Sequence, residues 1–210
     1  MAVIGPADAW AAGPAVLVHW DGTRWSRVTA PTPKGAAGPL SISSLSASGG
    51  DVWALGTARV GGSQAYYAAR WDGTNWSFTP TLPAVPGLLR FTNISAASAT
   101  TAWVGGTATG GGFALDYNGS AWATSWMPGA SASQVNWVAA HGSQAWAAGS
   151  VPSPQGQGET QAAVWVSGGS AWSPVPFPVT AAGSSATRVS YVPGSTTVWV
   201  NSTGGTFAGG

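Results

Sequence analysis

The chain has no cysteine among its 210 residues, which excludes disulfides, thiolate metal sites and a thiol nucleophile. Charge is nearly as scarce. Charged side chains make up 6% of the sequence, against about 25% in ordinary globular proteins. Seven basic residues stand against six acidic ones, for a formal net charge of +1. That balance gives no electrostatic footprint for nucleic acid or an anionic membrane, so neither is an expected partner. The two histidines, His19 and His141, lie far apart and supply at best half a metal site. No metal and no cofactor are expected. There is no run of about 18 apolar residues that could span a bilayer. Met1 to Pro6 lack the basic start and continuous apolar stretch of a signal peptide.

What the chain does have is tryptophan and turn residues. Fourteen Trp, five Phe and four Tyr argue against disorder, and 31 Gly and 15 Pro are spread along the chain as a many-turned β protein requires. One aromatic phrase recurs. Its first half, Asp51-Val-Trp53-Ala-Leu-Gly56, returns around Trp10, Trp103, Trp146 and Trp199, about every 43 to 53 residues. Its second half, Trp71-Asp-Gly-Thr-Asn-Trp76, returns as Trp20-Asp-Gly-Thr-Arg-Trp25 and Tyr117-Asn-Gly-Ser-Ala-Trp122. A fourth version, read with one extra residue, is Val166-Ser-Gly-Gly-Ser-Ala-Trp172. A period of roughly 40 to 50 residues made of short strands and Gly-rich turns is the pattern of β-propeller blades.

The second repeat shows the unit most fully. Leu40 to Ala47 reads as an inner strand, Asp51 to Gly56 as the second, Ala65 to Trp71 as the third and Trp76 to Pro80 as the fourth. Asp72-Gly73 sits where a tight hairpin needs left-handed backbone, and Asp21-Gly22 and Asn118-Gly119 repeat it. Alternate third-strand residues are apolar: Val16, Val18 and Trp20; Tyr67, Ala69 and Trp71; Phe113, Leu115 and Tyr117; Ala162, Val164 and Val166. The residue before the aromatic position varies (His19, Arg70, Asp116, Trp165) and so is expected outside the core. The expectation is an all-β propeller of about five four-stranded antiparallel blades, four complete and one partial. Their bounds are roughly 1–36, 37–84, 85–130, 131–180 and 181–210, within a single domain. Unpaired strand edges in the last blade would seek another chain, so a homo-oligomer is a possible state.

This organisation resembles the kelch-type propellers, including the Trp-rich kelch-like repeats of secreted bacterial proteins. Val52-Trp-Ala-Leu-Gly56 is similar to that family's second strand, and Trp71 to Trp76 with Pro80 and Pro83 to its third-strand aromatic, spaced Trp and Pro-rich exit. The glycine doublet of the family is present only as Gly105-Gly106. The resemblance covers essentially the whole chain and implies a secreted or cell-surface setting.

Eleven Trp fall on repeat positions and are expected as packing between sheets. Trp126, Trp137 and Trp165 fall off register and are candidate ligand contacts, together with Arg70, Asp116 and His19. Trp137 stands out because its inner-strand counterparts, counted back from each second-strand Trp, are Ser44, Ile94 and Ser190. Of the six acids, Asp8 and Asp51 open strands and Asp21 and Asp72 sit in turns, leaving Asp116 and Glu159. A glycosidase needs two carboxylates held a few ångströms apart, so an enzyme is not expected. The expectation is a non-catalytic recognition scaffold. Aromatic stacking beside neutral polar groups suits a carbohydrate, preferably an uncharged one; a protein partner is the alternative, and a polysaccharide-acting enzyme a third.

Overall fold

The computed structural model describes every residue except Pro14, Ala130, Gln157, Ser170, Val179, Thr180, Pro193 and Gly210. Among the described residues there is no helix; the chain forms nineteen strands in five sheets, each a meander of sequential neighbours. The first sheet is β1 (Ala2–Gly5), β2 (Asp8–Gly13), β3 (Val16–Trp20) and β4 (Trp25–Val28). The second is β5 (Ser41–Ser48), β6 (Asp51–Val60), β7 (Ser63–Trp71) and β8 (Trp76–Phe78). The third is β9 (Leu88–Ala96), β10 (Ala102–Ala108), β11 (Gly111–Tyr117) and β12 (Trp122–Trp126). The fourth is β13 (Gln134–His141), β14 (Gln144–Pro152), β15 (Thr160–Ser167) and β16 (Trp172–Val175). The fifth has three strands, β17 (Ala186–Tyr191), β18 (Val198–Ser202) and β19 (Gly205–Gly209). Four full antiparallel blades and a partial fifth are the propeller architecture that the repeat predicts.

The chain divides into two compact units. The first holds Met1–Pro83, Asn93–Ala102 and Tyr117–Trp122; the second holds Ala84–Thr92, Trp103–Asp116 and Ala123–Gly210. In the first unit, Trp10 of β2 lies 5.5 Å from the ring of Trp71 and 5.9 Å from that of Trp76. Around them Leu17, Leu40, Val52 and Ala54 form one buried cluster. Trp53 of β6 repeats the contact against Tyr117, at 5.6 Å. A second-strand Trp thus packs on the third-strand aromatic of the following blade. In the second unit a separate core gathers Ala148, Val164, Val189 and Val198, with Trp137 and Trp146 against it.

The residue before the third-strand aromatic is half-buried at His19, Arg70 and Asp116, yet the face it lies on is core two residues earlier. Leu17, Ala68, Ala114 and Val164, which share a face with the variable position or adjoin it, are at most 2% exposed. A blade with a neighbour on each side buries both surfaces, so strict alternation of apolar and polar residues is lost.

The fourth hairpin is also corrected. Ser167 pairs with Trp172 as Trp20 pairs with Trp25 and Trp71 with Trp76. The amide of Gly168 donates to the Ala171 carbonyl, matching Asp21 to Arg24, Asp72 to Asn75 and Asn118 to Ala121. Gly22, Gly73, Gly119 and Gly169 carry φ of 92°, 95°, 94° and 96° at one shared turn position. The turn therefore has no extra residue. Ser167, not Val166, stands where the other blades have an aromatic.

Candidate functional site

The one-residue shift in the fourth blade relocates Trp165. Its cross-strand partner is Ala147, whereas His19 pairs with Trp10 and Arg70 with Trp53. Val166, opposite Trp146, occupies the position equivalent to His19 and Arg70. A slip of one residue exchanges the faces of a strand, and Trp165 accordingly is core, 1% exposed, with its indole N–H donating to the Pro128 carbonyl at 3.2 Å. It contributes one wall of a groove of about 410 Å³ that also runs past Val151, Gln161, Pro174 and Phe177. That groove is lined without any titratable side chain and offers shape rather than charge.

His19 and Arg70 share a structural task. In the first blade Asp8 accepts from the Trp10 indole at 3.1 Å and contacts Nε2 of His19 at 3.0 Å, while the His19 ring lies 4.6 Å from that of Trp10. In the second, Arg70 holds Asp51 through Nε at 2.9 Å and an η nitrogen at 2.7 Å. Each pair bridges the start of a second strand to the end of a third. Asp116, at the same position in the third blade, is half-buried, and burial raises its carboxyl above the ordinary carboxylate range. Trp126 is 42% exposed and its ring packs 5.6 Å from Phe113. Glu159 is exposed in its loop. Among the described residues no three His, Asp or Glu side chains gather as a metal site would require.

Trp137 lies on β13 beside a β-bulge: the register with β14 shifts between Val135 and Trp137, leaving Asn136 as the extra residue. Trp137 pairs with Ala148, two residues past Trp146, as Ser44 pairs with Leu55, two past Trp53. In the fifth blade the residue two past Trp199 is Asn201, and its partner is Arg188. Arg188, not Ser190, is therefore the counterpart of Trp137. Counting along the sequence missed it because six residues separate Tyr191 from Val198, where four separate the equivalent Ala140 from Ala145.

These two counterparts meet. The Arg188 guanidinium carbon sits 4.5 Å from the centre of the Trp137 ring, in cation–π contact. Next to Trp137, Asn136 accepts from a guanidinium nitrogen of Arg90 at 3.1 Å and donates to Ser185 Oγ at 2.9 Å and the Ala186 carbonyl at 3.0 Å. Two consecutive residues at one bulge thus position two exposed arginines, from β9 and β17. Neither arginine was among the sequence candidates. The available signal was their place on inner strands, which the small neutral residues of the other blades do not share.

No family model matches this chain, and no curated protein sequence does either. Among solved structures it is similar to one described as YCF48 bound to D1 peptide, with a TM-score of 0.58 and 17% identity over 95% of this chain. The chain spans 58% of the length of that structure. It is also aligned with a Cellvibrio cellulosa alpha-L-arabinanase complexed with arabinohexaose, at a TM-score of 0.42 and 14% identity over 93% of this chain and 82% of that one. At such identities the likeness to the first shows the fold, and the fold is a β-propeller.

Proposed function

We propose that this chain is a non-catalytic recognition domain that binds an acidic carbohydrate at the bulge of β13. The observation that carries the proposal is the pair of exposed guanidiniums, Arg188 on the Trp137 ring and Arg90 on the Asn136 amide. A guanidinium stacked on an indole keeps its in-plane N–H groups, and these match a carboxylate in a two-pronged geometry. Trp137, half-buried, adds apolar ring surface of the kind that packs on a sugar. Sequence composition favours an uncharged sugar; the stacked arginine shifts the preference toward one bearing carboxylates. Absence of catalysis is part of the proposal, since Asp8 and Asp51 are committed to His19 and Arg70, Asp21 and Asp72 to their turns, and the remaining two, Asp116 and Glu159, belong to different blades. Placement among kelch-like repeats and a secreted or surface setting belong to the same proposal. They rest on the second-strand Trp-x-x-Gly and the spaced aromatics.

The test is calorimetry against oligouronates, neutral oligosaccharides and acidic peptides, with Trp137→Ala, Arg188→Ala and Arg90→Ala beside the wild type. Binding of the oligouronate, weakened at least about tenfold by Trp137→Ala or Arg188→Ala, supports the proposal. Binding only of peptide, or oligouronate binding indifferent to all three substitutions, overturns it.

A further inference from the structure

The net charge of +1 conceals a segregation of sign within the first compact unit. Its acids sit at one end of their sheets. Asp8 opens β2 and Asp51 opens β6, while Asp21 and Asp72 fill the hairpins that follow β3 and β7. Arg24 and Arg70 lie at that end as well, paired with Asp21 and Asp51 at 3.8 Å and 2.7 Å. Arg27, Lys34 and Arg59 belong to the other end. Arg59 pairs with Gln64 beside the β6–β7 hairpin, and Ala36, whose amide closes the turn holding Lys34, bridges to Val60. Arg27 precedes Val28, which pairs with Leu17 near the β2–β3 turn. All three are exposed, and none meets a carboxylate among the described residues. Eight residues of β6 lead from Asp51 to Arg59, about 26 Å at about 3.3 Å per residue. Charges are screened over about 8 Å at physiological salt. The distant acids therefore leave the field of these cations intact.

Between these cations the surface is hollow. Arg27 lines a cleft of about 500 Å³ and Arg59 one of about 370 Å³, and the two clefts share Pro39 and Ser41. Leu17 and Leu40 give the first an aliphatic floor, and Thr57 and Gln64 give the second polar walls. We infer that this double cleft docks an acidic peptide segment, extended across Pro39, with carboxylates on Arg27 and Arg59 and an apolar side chain in the larger hollow. A guanidinium takes a carboxylate through two parallel N–H bonds. Lys34, in the turn beside Val60, adds positive charge, and charge without an internal partner speeds encounter with an anionic one. Neither cleft is lined by an aromatic ring, the surface on which a sugar packs, so the aliphatic floor favours a peptide. The site shares no residue with the bulge of β13 and stands independently of the carbohydrate proposal.

Selection of bead-displayed random linear peptides against the full chain tests it. Fluorescence anisotropy of the enriched peptide then compares wild type with Arg27→Gln, Arg59→Gln, the double variant and Arg24→Gln. These side chains are exposed, so circular dichroism and melting temperature should match wild type in every variant. The expected result is enrichment of Asp or Glu at two positions around an apolar residue. Binding should weaken about threefold or more with each of Arg27→Gln and Arg59→Gln, and at least about tenfold with both. Arg24→Gln, at the acidic end, should leave affinity unchanged. No enrichment, or enrichment of peptides without acids, overturns the inference. So does peptide binding that Arg188→Ala weakens and the double variant does not, which would place the peptide at the bulge of β13. Oligouronate binding lost in the double variant but kept in Trp137→Ala would assign the clefts to carbohydrate, and overturns it too.

Discussion

The indole N–H of Trp122 donates to the hydroxyl of Thr79 at 3.0 Å, across 43 residues of sequence. Trp172 makes the same bond to Ser125 at 2.9 Å. In both cases the hydroxyl passes its own proton on to a third-strand carbonyl, Ala68 or Ala114, at 3.3 Å. The acceptor stands three residues after the fourth-strand Trp of the preceding blade. For Trp76 that position is Val28, and the buried Trp76 indole nitrogen has no hydrogen-bond partner. A single apolar residue breaks a repeated relay.

Val28→Thr should repair it. The new hydroxyl would accept from Trp76 and donate to the carbonyl of Leu17, which pairs with Val28. A gain of about 0.5–1.5 kcal/mol is expected, and Thr79→Val should lose about 1–3 kcal/mol by orphaning Trp122. Urea denaturation of the two variants checks both signs. A Val28→Thr variant no more stable than wild type would remove the relay as an explanation.

The glycine three residues past the second-strand Trp in the first four blades should divide by blade. A Cβ on Gly56 would strike the Ser41 carbonyl oxygen and come within 2.9 Å of Ile42 Cα; one on Gly149 would strike the Gln134 carbonyl oxygen. Backbone cannot yield as a side chain can, so Gly56→Ala and Gly149→Ala should each lose about 3 kcal/mol or more. Gly13, equivalent in the first blade, would meet only Val16 Cγ1 at 3.4 Å. Gly13→Ala should be neutral or stabilising by up to about 1 kcal/mol. Thermal melts of the three variants separate the cases.

Acid should loosen the first hairpin turn. The Thr23 hydroxyl and the Arg24 and Thr23 amides hold the Asp21 carboxyl at about 2, below its ordinary 3.8. A depressed carboxylate contributes stability that is complete above the unfolded value and is lost as pH falls from 3.8 through about 2. Asn118 makes the equivalent turn bonds without a titrating group. Asp21→Asn should therefore keep the turn and abolish its acid response. Chemical shifts of the Thr23 and Arg24 amides between pH 5 and pH 2 would follow it.

Asp116 behaves oppositely. Burial raises its carboxyl, so its ionised form opposes folding, and stability from this group rises as pH falls through the raised value. Asp116→Asn should give a small rise in melting temperature at neutral pH that vanishes in acid. A variant less stable than wild type at neutral pH would show that the charge is compensated by a partner.

The repeat, the hairpin glycines and the burial of Trp10, Trp53 and Trp103 were legible from residue order, because each depends on local chemistry. A left-handed turn needs Gly wherever it falls, and a second-strand indole needs a neighbouring sheet. The candidate site was legible only at Trp137. Arg188 was hidden by a longer loop, and Trp165 was misplaced by one residue, because a turn at Gly168-Gly169 with no aromatic before it gives no sequence mark of where the strand stops.

Amino-acid order by itself determined what kind of unit is repeated and which residue types recur in it. Tertiary structure alone decided which ring is covered, which indole lacks an acceptor and which arginine stands over Trp137. Those outcomes depend on ladder register and on contacts between residues some 40 to 50 positions apart. A slip of one residue in that register turns a side chain from one face of a sheet to the other, and nothing in the local sequence records it.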